Sequence, residues 1–314
     1  MQTPIRIGTR GSPLALAQTR EVIATLAKAN GWSPEQAALE TRIVPIKTSG
    51  DRIQDRPLAD LGGKGLFAKE IEEALLANEI DCAVHSLKDM PTLLPEGLVL
   101  DCVLEREDPR DALIARAGSS LADLPINAII GTSSVRRQAI LLHARPDLKI
   151  LLLRGNVETR LNRVQSGDID ATILALAGLK RLDRQKAATS IFSTDEMLPA
   201  VAQGTIGIEM RSADTNLRAM FARINHTPTL LAVTLEREFL SVLDGSCKTP
   251  IAGLATFTNG SELTFVGCAL SPDGKKRFDV TCHASVTSPH QAQDLGRRAG
   301  EDLLQQAGRQ FFQV

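Results

Sequence analysis

Two short segments of this chain bring together side chains that could do chemistry. In Val84-His85-Ser86-Leu87-Lys88-Asp89-Met90-Pro91, the carboxylate of Asp89 stands beside cationic and hydroxyl groups at the end of a strand-like run. A carboxylate so placed can stabilise a cationic intermediate or orient an N–H, although Asp is also a common turn former. In Asp244-Gly245-Ser246-Cys247-Lys248-Thr249-Pro250, one thiol sits in a polar, Gly-containing turn. Lys248 beside it favours the thiolate, the nucleophilic form of Cys247. Several further segments carry cations where a strand gives way to a helix. These are Arg10, Arg136-Arg137 after Gly131-Thr132-Ser133-Ser134, and Arg154 and Arg160 around Gly155-Asn156, with Lys64 between glycines. Such junctions offer free backbone N–H groups and a positive dipole end, and Arg adds bidentate capture of carboxylate or phosphate. A single surface Arg reads equally well as a solvated ion pair. The recurrence of the same context points instead to one anion-lined cleft, and the three features together to chemistry on a polyanionic substrate held covalently.

Other chemistries are poorly served. His85 on a strand reads as a buried, hydrogen-bonded histidine rather than a base. No nucleophile elbow and no metal-ligand cluster occur. Gly62-Gly63-Lys64-Gly65 is followed by Leu66 where a phosphate loop needs Ser or Thr, and no Gly-x-Gly-x-x-Gly follows the first strand, so nucleotide binding is excluded. Cys82, Cys102, Cys247, Cys268 and Cys282 are odd in number and widely spaced, unlike a disulfide framework or a zinc site. Four of them lie in apolar runs and read as buried structural thiols, leaving Cys247 apart. A net charge of -1 gives no global field for nucleic acid or an anionic membrane, and the absence of Tyr argues against base-stacking platforms. With no apolar run of spanning length and no signal-peptide pattern at Met1-Gln2-Thr3-Pro4-Ile5-Arg6, the expected location is the cytoplasm.

A chain of 314 residues suits two or three domains. Its first third alternates strand and helix signals: a strand from Ile5 to Thr9, a helix capped by Ser12-Pro13 and stopped at Gly31, and a strand from Leu39 to Lys47. A helix follows from the Gly62 segment to about Asn78, then a strand from Asp81 to His85. The middle repeats the theme, with strands from Ala128 to Gly131, Lys149 to Leu153 and Ala171 to Leu174, each followed by a helix. Such alternation implies α/β layers, in which ligands bind at strand carboxyl ends. The last third differs. A helix from Thr229 to Leu243 precedes three strands, 251–257, 263–270 and 277–284, joined at Asn259-Gly260 and Asp273-Gly274, and a final helix from Pro289 to Gln306. That pattern is a small antiparallel α+β domain.

Taken in order and spacing, the segments Gly8 to Ala15, Gly62 to Phe67, Val84 to Pro91, Arg106 to Asp111, Gly131 to Arg137, Leu153 to Asn156, Thr159 to Leu161, Gln203-Gly204 and the Cys247 turn resemble the porphobilinogen deaminase family over nearly the whole chain. The resemblance implies a hydroxymethylbilane synthase of tetrapyrrole synthesis. It would join four porphobilinogen molecules head to tail with loss of ammonia and release the linear product with water. It implies a dipyrromethane cofactor held by a thioether on Cys247, and a catalytic Asp89. Arg10, Ser12, Lys64, Lys88, Ser134, Arg136, Arg137, Arg154 and Arg160 fall on positions around cofactor and substrate carboxylates. Asp51, Phe67, Ser86, Thr132, Arg181 and Gln203 fall on supporting positions. The implied fold has two periplasmic-binding-protein-like α/β lobes, 1–104 with 203–224 and 108–198, joined by two hinge crossings. A C-terminal α+β domain, 227–314, would carry the attachment Cys on a three-stranded antiparallel sheet. A monomer without nucleic-acid, metal or membrane partners is expected. The chain departs from the family at Ser246, where Gly is frequent, at Ala202, also often Gly, and at Ser49, where some members carry Arg. A non-catalytic anion-binding module on the same lobes is the rival reading, and a different thiol-dependent transferase a second one. The first gives no reason for Asp89, Cys247 and a third domain together, and the second lacks a partnering base motif.

Overall fold

Local signals set the first elements. Ser12 Oγ accepts the Ala15 N–H at 3.2 Å and Pro13 takes the first helical position, so a helix runs over Pro13–Asn30 and stops at Gly31 in the left-handed region. Ser33 and Gln36 then close a capping box, and a short helix, Pro34–Glu40, occupies the start of the strand expected from Leu39. Reciprocal capping outweighs the weak alternation there, and the strand is Thr41–Ile46. The computed structural model describes residues 4–52, 65–243 and 249–312; Lys64, Ser246 and Cys247 lie outside the described residues.

These residues fall into two compact units. The first holds residues 4–52, 65–107 and Thr205–Leu230. Its sheet has the order Thr41–Ile46, Ile5–Arg10, Cys82–Ser86, Ile206–Arg211, Leu98–Val103. The first three strands are parallel, and Ile206–Arg211 runs antiparallel to both of its neighbours. Ile7, Val22, Leu26, Ile208 and Phe221 fill the core between this sheet and its helices.

The second unit holds Asp108–Gly204 and residues 231–243 and 249–312. Its larger sheet has the order Lys149–Leu151, Ile129–Gly131, Ala171–Ala175, Asp111–Ala115, Ser190–Ile191, and its earliest strand in the chain, Asp111–Ala115, runs antiparallel to both neighbours. The C-terminal sheet, Ile251–Asn259, Glu262–Leu270 and Arg277–Ser285, is antiparallel throughout. Ala252, Cys268 and Leu270 of that sheet share one core with Ile130, Ile140 and Ile173, so the second lobe and the C-terminal sheet pack as one unit. The two α/β lobes and the smaller sheet are the architecture expected from the sequence. Sequence reading placed Cys102 in an apolar run without bounds, which is the strand Leu98–Val103, and did not pick out Asp111–Ala115 and Ile206–Arg211; the three flank the two chain crossings. Ala202, on the return crossing, has φ 59°, a region that favours Gly, and its N–H donates to the buried Glu236 carboxylate at 2.6 Å.

Candidate active site

In the first unit the parallel strands end together, and a pocket opens beside them, lined by Arg10, Ser12, Gln18, Phe67, His85, Ser86 and Asp89. Asp89 ends a single 3₁₀ turn, Leu87–Asp89, directly after the Cys82–Ser86 strand. That turn is closed by the Met90 N–H on the Leu87 carbonyl and not by the Asp89 side chain. The Asp89 carboxylate is exposed and receives no hydrogen bond from the described residues. Lys88 beside it is also exposed.

Arg10 ends the first strand with its guanidinium shared between two neighbours. Its Nε donates to Asp51 at 3.2 Å, and its Cζ lies 4.1 Å from the Phe67 ring centroid. Burial works against the Asp51 carboxylate, but hydrogen bonds and charge from Arg10 and the Thr48 hydroxyl hold its pKa below the usual range. Ser49 turns its N–H and hydroxyl to Glu70. A Cβ on Gly50 would come within 2.3 Å of Phe67 Cε1. Gly50→Ala should therefore displace Phe67 from under Arg10 and lower kcat/KM on the order of 10-fold, read by steady-state assay beside an unchanged circular-dichroism spectrum.

The second unit has its own cationic junction. Thr132 Oγ1 accepts the Ser134 N–H at 3.1 Å, and Ser134 caps the helix Val135–Ala144. Arg136 and Arg137 follow, but neither is displayed at the surface. Their Nη2 atoms each donate to one oxygen of the fully buried Asp111 at 2.7 Å, and their Nη1 atoms to the carbonyls of Leu198 and Ile173. Gln203 Nε2 adds a third donor to Asp111 at 3.0 Å. Burial alone would raise the Asp111 pKa; the two guanidinium charges overcome it and hold the carboxyl well below the usual aspartate range. Two cations against one anion leave one positive charge in excess at a helix N-terminus, and both Nε–H donors are buried without an acceptor among the described residues. Arg160, on the helix Val157–Gln165 capped by Asn156, donates from Nε to the Gly155 carbonyl at 3.0 Å. Arg154 is half-buried in the preceding loop, and Arg181 Nη1 donates to the Gly204 carbonyl at 3.1 Å.

Asp111→Asn should cost about 3–5 kcal/mol in urea unfolding, because it leaves two buried cations unpaired. A lowered folded pKa makes this stabilisation present above the ordinary aspartate value and lost as pH falls below about 4; the variant should lose that acid limb of the stability profile.

Gln18 and Asp111 are the polar residues that sequence reading passed over. Gln18 meets Ser86 Oγ at 2.9 Å from within the helix Pro13–Asn30. It sits on the same buried face as Ala15, Thr19, Val22 and Leu26, and a polar residue on an apolar stripe was the available signal. The thiols divide as well. Cys82, Cys102 and Cys268 are buried, and burial pushes Cys102 and Cys268 up to about 12; Cys282, expected to be buried, is only half-buried. No metal-binding cluster occurs among the described residues, and no described helix is long and apolar enough to cross a membrane.

Fold and site define a protein of two α/β lobes with an added antiparallel sheet and a polar pocket where the parallel strands of the first unit end. The family model "Porphobilinogen deaminase, dipyromethane cofactor binding domain" matches residues 5–219, and "Porphobilinogen deaminase, C-terminal domain" matches residues 230–305. The chain belongs to the porphobilinogen deaminase family. It is 52% identical over 306 residues to porphobilinogen deaminase of Nitrobacter hamburgensis, covering 98% of this chain and 94% of that one. Identity to the chloroplastic porphobilinogen deaminase of Oryza sativa subsp. japonica is 52% over 311 residues, covering 98% of this chain and 85% of that one. Among solved structures, a periplasmic substrate-binding protein of an ABC transporter from Coxiella burnetii aligns with 74% of this chain and 96% of its own at TM-score 0.42 and 16% identity.

Proposed function

We propose that Asp89 faces the reacting carbon of this enzyme and that Cys247 anchors its dipyrromethane group through a thioether. The reaction itself is that of the family: four porphobilinogen molecules are condensed head to tail, one ammonia is lost at each step, and water releases linear hydroxymethylbilane. The observation that carries the Asp89 role is its exposed carboxylate, without a hydrogen bond from the described residues, in one pocket with Arg10, Ser12 and Ser86.

The residues fit a carboxylate-bearing polypyrrole. Such a group needs cations for its acetates and propionates and an acceptor for its pyrrole N–H. The excess positive charge of Arg136 and Arg137 over Asp111 at the Ser134 helix N-terminus, and the Asp89 carboxylate, exposed and without a hydrogen bond from the described residues, answer those needs. Arg10, Ser12, Lys64, Lys88, Ser134, Arg136, Arg137, Arg154 and Arg160 would hold the carboxylates, with Asp51, Phe67, Ser86, Thr132, Arg181 and Gln203 fixing their positions. When bound, the dipyrromethane supplies the first nucleophilic pyrrole α-carbon.

Asp89 does its work as the substrate's aminomethyl C–N bond breaks and ammonia leaves with the bonding electrons. Positive charge then develops on the pyrrole, and a carboxylate held beside it lowers the barrier, because the charge is met by a group already in place. The same oxygens accept the pyrrole N–H and orient the ring. With the group bound, its terminal α-carbon would form the new C–C bond at this methylene and lose its proton, while Asp89 holds the substrate ring in place. Arg10 is restrained by Asp51 and Phe67, so its guanidinium is ordered before any carboxylate arrives. A tether makes each later condensation effectively intramolecular. The scattered cysteines support a reducing, cytoplasmic location, the near-neutral charge speaks against nucleic-acid and anionic-membrane partners, and the family suggests a monomer. The test is the intact mass of the denatured, purified protein before and after incubation with porphobilinogen. An excess of two linked porphobilinogen units on the Cys247 peptide is expected; a bare chain that gains no mass overturns the attachment.

A further inference from the structure

Behind the Asp89 pocket three titratable side chains meet that the condensation as described does not use. His85 lines the pocket, and its Nε2 lies 3.1 Å from Glu209 Oε2, with the two side chains 5% and 0% exposed. Glu209 comes from the antiparallel strand Ile206–Arg211, opposite Ala83. Glu72, from the helix Lys69–Leu76, is buried against them. One oxygen of Glu72 and one of Glu209 are buried without a hydrogen-bond partner among the described residues. Native proteins rarely leave carboxylate oxygens in that condition, because each costs about 1–3 kcal/mol of lost hydration.

Ionising Glu72 in this buried place beside a second carboxylate is costly at low dielectric. Burial, and then the charge of Glu209, push Glu72 up to about 7, against a downward pull from His85 and a further push from Glu73. The other charges on elements packed against this helix have partners of their own. Arg6 is held by Asp81 and Arg10 by Asp51, while Arg211 donates to the carbonyls of Leu75 and Ile80. The charge behind the pocket therefore changes by one unit when Glu72 gains or loses its proton.

We infer that His85, Glu209 and Glu72 form a proton-gated charge behind the Asp89 pocket: Glu209 holds His85 as a positioning residue, and ionisation of Glu72 adds a negative charge that favours the cationic carbon left when ammonia departs. The inference rests on the proposed role of this pocket in the condensation. Its sign follows directly. Below the titration of Glu72 the cluster lacks that charge and kcat is low; above it kcat is higher. KM changes little, because the substrate's carboxylates are held by other residues.

The experiment is a pair of pH titrations on the holoenzyme from about one unit below to one unit above the Glu72 value of about 7. In the wild type, kcat should rise through the window, and infrared difference spectra should show a protonated buried carboxyl disappearing over the same range. Glu72→Gln should lose both signals and fall about 3- to 10-fold below the wild type at the alkaline end, while Glu72→Asp should restore the rise. Identical kcat profiles in wild type and Glu72→Gln would overturn the inference and leave the pocket assignment standing. Normal turnover in Asp89→Ala would overturn the pocket assignment instead. Should Glu72→Gln fail to fold, the wild-type infrared titration decides alone: a carboxyl band that does not titrate in this window overturns the cluster.

Discussion

Asp89→Ala should bind porphobilinogen and make almost no hydroxymethylbilane, with kcat lower by about 10³-fold or more. The size of the effect follows from where charge develops. Breaking the aminomethyl C–N bond places positive charge on a pyrrole, and Asp89 is the carboxylate lining the pocket, with no hydrogen bond from the described residues to dilute it. The turn-former reading predicts the opposite balance: a stability loss and normal turnover. Closure of the turn through the Met90 N–H and the Leu87 carbonyl favours the first outcome, since the backbone does not depend on the carboxylate. Asp89→Asn separates shape from charge and should be nearly as inactive as Asp89→Ala. Quantitation of hydroxymethylbilane in single-turnover and steady-state assays, with unfolding midpoints alongside, checks both; near-normal output from either variant removes Asp89 from the reacting centre.

Cys247→Ser should emerge from purification without the covalent mass excess and without turnover, and incubation with porphobilinogen should not restore either. Thiolate nucleophilicity is the reason: a serine hydroxyl is not ionised near neutral pH and forms no thioether. No described thiol is a ready substitute. Cys82, Cys102 and Cys268 are buried with raised pKa values, and burial raises Cys282 as well. Mass spectrometry of the intact variant and of its peptides reads the result. A retained mass excess in Cys247→Ser, on whatever residue, refutes the attachment site.

Much of the fold was legible because short-range rules govern it. Ser12-Pro13 began a helix and Gly31 ended it, and Asn259-Gly260 and Asp273-Gly274 separated the three antiparallel strands. Legibility ended where pairing depends on distant chain. The strand Ile206–Arg211 lies between Cys82–Ser86 and Leu98–Val103, more than a hundred residues away in sequence, and no local pattern near 206 announces those neighbours. Leu39 and Glu40 were misassigned to a strand because a capping box two turns earlier had greater weight than two alternating residues.

By itself the sequence determined the chemical inventory: which side chains are nucleophilic, cationic or acidic, which segments begin helices, and, through ordered motifs, the family. Tertiary structure decided how that inventory is deployed. It buried Arg136 and Arg137 on Asp111, set Gln18 against Ser86, and gathered Glu72, Glu209 and His85 behind one pocket. The physical reason is that ionisation and hydrogen bonding depend on local dielectric and on neighbours within a few ångströms. Those neighbours come from strands and helices far apart in the chain, so an Arg written at a helix start is known as a cation from the sequence, but whether it faces a ligand or a buried carboxylate is known only from the fold.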